Sequence, residues 1–195
     1  MMKLIKTLTI IVALVSIISL TGWNQSDRAL ADENPVAPEK NPPGDIPDSQ
    51  VFVNYTSIQG GYDIEVPEGW ARTTKGMDVT FQEKLDGLSV TVRNAAGLPD
   101  VESIRKNQAE LLKKTGRAVR IKRIQNIQLS NGPAMLMMYE SNSEPDPVIN
   151  KQVRLENSAY FFYGKGKLAE LRLWAPLGAD NVDQWNRISN SFRWR

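Results

Sequence analysis

Apolar positions follow three regimes along this chain: one nearly continuous run near the N-terminus, then alternation with period two, interrupted and ended by two stretches at helical spacing. The run Leu8 to Leu20 is broken only by Thr9, Ser16 and Ser19. A spanning helix needs about 20 apolar residues and a secretory leader core about 7–15, so this run has leader length. From Val51 onward the pattern changes. Val51 to Ile58 leads through Gln59-Gly60-Gly61 into Tyr62, Ile64 and Val66, which alternate with Asp63 and Glu65. Pro67-Glu68-Gly69 ends that strand before Trp70, and Val79 and Phe81 alternate next. Asp86-Gly87 then reads as a hairpin turn into Leu88, Val90 and Val92. A helix follows, with Asp100 as its cap, Val101, Ile104, Gln108, Leu111 and Leu112 as its buried face, and Gly116 as its end.

The second half returns to strands. Val119, Ile121, Ile127 and Leu129 lead to the turn Ser130-Asn131-Gly132-Pro133. Ala134 to Tyr139 and Ala159 to Tyr163 are apolar on both faces, which predicts central strands covered on two sides. The cluster Met135, Met137 and Met138 falls in the first and reads as core. Gly164-Lys165-Gly166 predicts a hairpin into Leu168 to Ala175. A last helix starts near Asp180 or Asn181 and places Val182, Trp185, Ile188 and Phe192 on one face. Short turns between successive strands require antiparallel pairing, so the expectation is an α+β domain with an antiparallel sheet flanked by helices.

The expected organisation has three parts. Residues 1–31 form a signal peptide or an N-terminal membrane anchor: Lys3 and Lys6 precede the apolar run, and Ala29-Leu30-Ala31 offers a cleavage pattern before Asp32. The polar stretch Asn24 to Arg28 separates the two and leaves the anchor alternative open. Residues 32–49 carry five of the eleven prolines and no periodicity, as expected of an extended spacer. Residues 50–195 form the globular domain.

Composition narrows the chemistry. With no His and no Cys, imidazole or thiol catalysis, Cys/His zinc sites and disulfides are excluded. Leu20-Thr21-Gly22 resembles a lipoprotein box, but Trp23 stands where the lipid-bearing Cys belongs. The chain's formal charge of +2 resides in its leader. Without residues 1–31 acids and bases balance, so a nucleic-acid partner is not expected.

Gly61-Tyr62-Asp63-Ile64-Glu65-Val66-Pro67-Glu68-Gly69-Trp70 resembles the opening of PsbP-like domains, and so does the ending, from Gly166-Lys167-Leu168 to Ser191-Phe192. The resemblance spans residues 51–195 and is to exported, lipoprotein-like bacterial members as much as to photosynthetic ones. It implies an α/β/α sandwich and an exported, non-enzymatic accessory or binding role outside the cytoplasmic membrane. An extrinsic photosystem II subunit or assembly factor in a thylakoid lumen is the alternative it also implies. No cofactor is expected, and the family's metal and docking residues find no matching motif.

A third alternative, an enzyme using carboxylates, lacks a motif: Glu65, Glu68, Glu140, Glu156 and Glu170 sit at strand edges or turns with nothing to pair them. Ser103-Ile104-Arg105-Lys106 and Lys114-Thr115-Gly116 match penicillin-recognising motifs, yet one helix would hold Ser103 and Thr115 about 18 Å apart. Two surface features remain. Six basic residues without an acid run from Lys113 to Arg123, among them Arg117, Arg120, Lys122 and Arg123. They suit an acidic or membrane-associated protein partner or anionic lipid, or else a solvated helix end and charged edge strand, and an uncleaved leader would hold the domain near the membrane. Trp174 shares its strand face with Glu170 and Arg172, either as an interface residue or beneath a covering helix.

Overall fold

The computed structural model describes residue 30 and residues 32–40 and 42–195. The apolar run and all of the cleavage pattern except Leu30 lie outside the described residues. Among the described residues no helix is long and apolar enough to cross a membrane.

Among the described residues ten strands form two antiparallel sheets. The larger contains β3 (Ala71–Lys75), β4 (Asp78–Glu83), β5 (Asp86–Asn94), β6 (Arg120–Leu129), β7 (Gly132–Asn142), β8 (Arg154–Gly164) and β9 (Lys167–Pro176). Its order is β3-β4-β5-β9-β8-β7-β6, so β6 is an edge and β9 lies inside. The smaller sheet has β2 (Tyr62–Pro67) between β1 (Phe52–Ser57) and β10 (Arg193–Trp194). Helix α1 is one continuous rod in three segments, Val101–Ser103, a π-helical Ile104–Ala109, and Glu110–Thr115. Helix α2 is Val182–Ser191.

This is an α+β fold, as expected, with helices on both faces of the large sheet. One face is covered by α2 together with the small sheet. There Tyr62, Ile64, Leu88, Leu171, Ile188 and Phe192 form the main core, and Phe192 stacks on Phe162 at 4.4 Å and on Tyr62 at 5.3 Å. Helix α1 covers the other face, closing Met135, Met137, Tyr139, Ala159 and Phe161 beneath Ile104 and Ala109. Strands β7 and β8 are thus buried on both sides, which is why their sequences are apolar at successive positions. Met138 is the exception in the methionine cluster, at 37% exposure.

Several expected details differ. The β4–β5 turn is Lys84-Leu85, with Lys84 at φ 52°, so Asp86 and Gly87 belong to the strand. Gly87 is needed there for packing: a Cβ would collide with the Trp174 indole. The π turn advances the buried face of α1 from Ile104 by five residues to Ala109 instead of to Gln108, and turns Leu111 out to 62% exposure. Val182 is exposed as well, because α2 meets the core through Ile188, Phe192 and Trp185.

The largest difference is at residues 32–49, expected to be an extended spacer. They form a strap docked on the domain. Asn142 Nδ2 donates to the Asn34 carbonyl and Asn142 Oδ1 accepts from Val36 N; Glu39 pairs with Lys151 at 2.8 Å. Further on, Asn181 Nδ2 donates to the Gly44 carbonyl, its Oδ1 accepts from Ile46 N, and the Ile46 side chain is buried. Prolines remove backbone donors, and the buried amides of Asn142 and Asn181 satisfy part of what remains. A compositional rule sees the prolines but not those distant amides.

Candidate functional site

Helix α1 packs over β7, β8 and, through Leu168, the start of β9, and leaves the Arg172–Trp174 end of β9 open. The uncovered sheet is the floor of a groove of about 910 Å³. The end of α1 and the segment after it (Leu112, Thr115, Gly116, Arg117, Val119) make one wall, and the β4–β5 hairpin (Gln82, Lys84, Leu85) makes the other. The loop Glu144 to Ile149 and strap residues Glu39 and Pro43 close the end. Leu155 and Asn157 from β8, Tyr139 and Ser141 from β7, and Arg172 and Trp174 from β9 form the floor.

Alternation along β9 directs Leu171 and Leu173 into the main core and Glu170, Arg172 and Trp174 to the groove side. Trp174 pairs in register with Gly87, whose missing side chain leaves room for the indole to settle on the sheet. The Arg172 guanidinium lies over that indole, 4.9 Å from the ring centroid. Its Nε is buried without a hydrogen-bond partner. Burial pushes the Tyr139 hydroxyl up, and the Arg172 guanidinium beside it opposes that rise. Burial also pushes the Glu170 carboxyl up, against the influence of Arg172 and Arg93.

Other cations of the groove are already neutralised. Arg117 pairs with Glu33 at 3.1 Å and with Glu144 at 2.9 Å, and Lys151 pairs with Glu39. Among the described residues no three acidic side chains gather into a metal-holding cluster. The floor therefore combines an aromatic face, a guanidinium, a phenol and the Asn157 amide, a set suited to hydrogen bonding and stacking.

The residues singled out from sequence do not converge. Trp174 and Arg117 line the groove, whereas Arg120, Lys122 and Arg123 belong to the edge strand β6 and do not line it. A bulge between Ile121 and Arg123 breaks the alternation, so Ile121 and Ile124 pack under α1 while the three basic side chains are exposed. Lys122 pairs there with Glu140 at 2.9 Å. The basic run is thus divided into a bridged arginine at the groove and a charged edge strand, a form that discourages edge-to-edge pairing. Two important arginines were not singled out. Arg172 was legible as a neighbour of Trp174 on one strand face. Arg154 was not: it is 2% exposed and donates to the Ala118 carbonyl and Asn142 Oδ1 while bridging to Glu140, an arrangement of distant partners.

No protein-family model and no curated protein matches the chain. Among solved structures its fold is similar to the solution structure of cyanobacterial PsbP from Synechocystis, with 18% identity, 80% of this chain and 100% of that one covered, and a TM-score of 0.49. It is also similar to a protein from Bacteroides thetaiotaomicron, with 9% identity, 73% of this chain and 48% of that one covered, and a TM-score of 0.47. A Pseudomonas aeruginosa protein of unknown function is similar at 13% identity, with 74% of this chain and 97% of that one covered, and a TM-score of 0.47. These are likenesses in the path of the chain.

Proposed function

We propose that this chain is an exported, non-enzymatic binding protein that works outside the cytoplasmic membrane and holds its ligand in the groove beside α1. The observation that carries the reading is the floor of that groove, where Trp174 and Arg172 are offered to solvent from an interior strand of a seven-stranded sheet. A site on such a strand is held in place by hydrogen-bonded neighbours on both sides, which favours recognition by a preformed surface. The non-enzymatic reading is supported by the side chains present: the groove's Glu39 and Glu144 are committed to ion pairs, and the Asp146 carboxylate accepts from Val148 N and Ile149 N. Export is supported by the charged and apolar pattern of residues 1–31.

Two measurements test this. Fractionation of cells expressing the full chain, with N-terminal sequencing, is expected to find an extracytoplasmic product beginning at or near Asp32, or an intact chain on the membrane's outer face. Recovery in the cytosol with Met1 intact overturns export. An NMR screen of small fragments is expected to move resonances around Trp174 before others; hits spread evenly over the surface overturn the groove as binding surface.

A further inference from the structure

Every basic side chain of the groove except one has an acid against it. Lys84 meets Glu83, Lys151 meets Glu39, and Arg117 meets Glu33 and Glu144. Of the groove's four basic side chains, Arg172 alone forms no ion pair. We propose that the groove binds a monocarboxylate with an apolar or aromatic body, its acid on the Arg172 guanidinium and its body against the Trp174 indole. This rests on the reading of the groove as the binding surface and supplies its ligand class.

Five observations converge on that chemistry. Arg172 lines the groove with no acid against it, so its charge is open to a carboxylate entering from solvent. Its planar fork fits two carboxylate oxygens at once, and stacking over an indole leaves the N–H edges free to donate. Glu170, two residues away on the same face, is not within ion-pair distance of Arg172, and burial pushes its carboxyl up. The groove's other cations are paired with acids, which leaves the single charge of Arg172 to be matched, so a monoanion fits better than a phosphate dianion. The size of the groove, about 910 Å³, exceeds what a carboxyl group fills, and Leu112, Val119 and Leu155 supply apolar surface for the rest.

The test uses the full ¹⁵N-labelled chain with 3-phenylpropanoate and its uncharged partner 3-phenylpropanamide. The acid is expected to bind about tenfold or more tightly than the amide, a difference typical of a charge-assisted pair, and to shift the Trp174 indole N–H resonance. Arg172→Gln is expected to erase the preference while leaving amide binding in place. Arg172→Lys, which keeps the charge without the fork, is expected to retain part of it and guards against a variant that fails to fold. A peptide ending in Phe, with a free or an amidated C-terminus, separates the sources. Preference for the free end assigns peptide termini, and its absence beside phenylpropanoate binding assigns free acids; both support the carboxylate. Equal affinity for acid and amide, or a preference that survives Arg172→Gln, overturns the proposal. Inorganic phosphate shifting the groove where both carboxylates fail overturns the ligand class and leaves the binding surface standing. Failure of every probe to move the groove overturns both.

Discussion

Replacing Asp86 by Asn probes a buried carboxyl beneath the strap. Asp86 opens β5, is 8% exposed, and has an Oδ1 without a hydrogen-bond partner. Gly44 crosses so close that a Cβ there would be 2.7 Å from that oxygen, and φ 126° at Gly44 suits glycine in any case. Burial, with Asp45 and Glu83 adding to it and Lys84 opposing, raises the Asp86 pKa to about 7. An unfolded Asp titrates near 3.9, so between about pH 4 and 7 the unfolded chain releases this proton while the folded chain keeps it. Stability therefore falls as pH rises through that window and levels off above it. A shift of roughly three units at 1.36 kcal/mol each sets a ceiling of about 4 kcal/mol. Local lifting of the strap would let water reach the ion, so about 2–4 kcal/mol is the expected loss. Asp86→Asn removes the charge at nearly constant shape. Urea unfolding of wild type and variant at pH 4 and pH 8 measures the effect, since pH effects on other groups cancel in the difference. The two should match within about 0.5 kcal/mol at pH 4, and the variant should be more stable by about 2–4 kcal/mol at pH 8. Equal differences at both pH values, or a less stable variant at pH 8, would refute the argument.

Ile46→Ala should cost about 2–4 kcal/mol by urea unfolding, whereas a free spacer would lose nothing. Gly87→Ala should destabilise by about 1–3 kcal/mol and displace the Trp174 indole N–H resonance, because the added methyl must push the ring off the sheet. Ile104→Ala should cost about 2–5 kcal/mol and Leu111→Ala less than about 0.5, the reverse of equal contributions expected from an unbroken α-helical face; thermal and urea unfolding of both variants decide it.

Local pattern was enough wherever the cause was local. The hairpin expected at Gly164-Lys165-Gly166 is present between β8 and β9, with Lys165 and Gly166, both at positive φ, as its two turn residues. Asp100 Oδ1 accepts from Ser103 N at 2.7 Å, the cap expected for α1. Two-sided apolar runs marked β7 and β8 as covered strands, and alternation put Arg172 beside Trp174 on one face. None of these needs a partner more than a strand or a turn away.

What tertiary structure decided depended on residues far apart in sequence. The strap is held by Asn142 and Asn181, more than a hundred residues from the backbone groups they bind. Gly87 left the turn for the strand because Trp174 occupies the space its side chain would fill. Ion pairs to Glu33 and Glu144 hold Arg117 at the groove, whereas Arg120, Lys122 and Arg123 lie exposed on β6, although they are neighbours in the chain. Hydrophobic periodicity reports which side of an element is buried, because burial acts on each residue's own surface. Hydrogen bonds and close contacts between distant segments carry no periodicity, and they settled where the groove opens and which arginine in it remains unpaired.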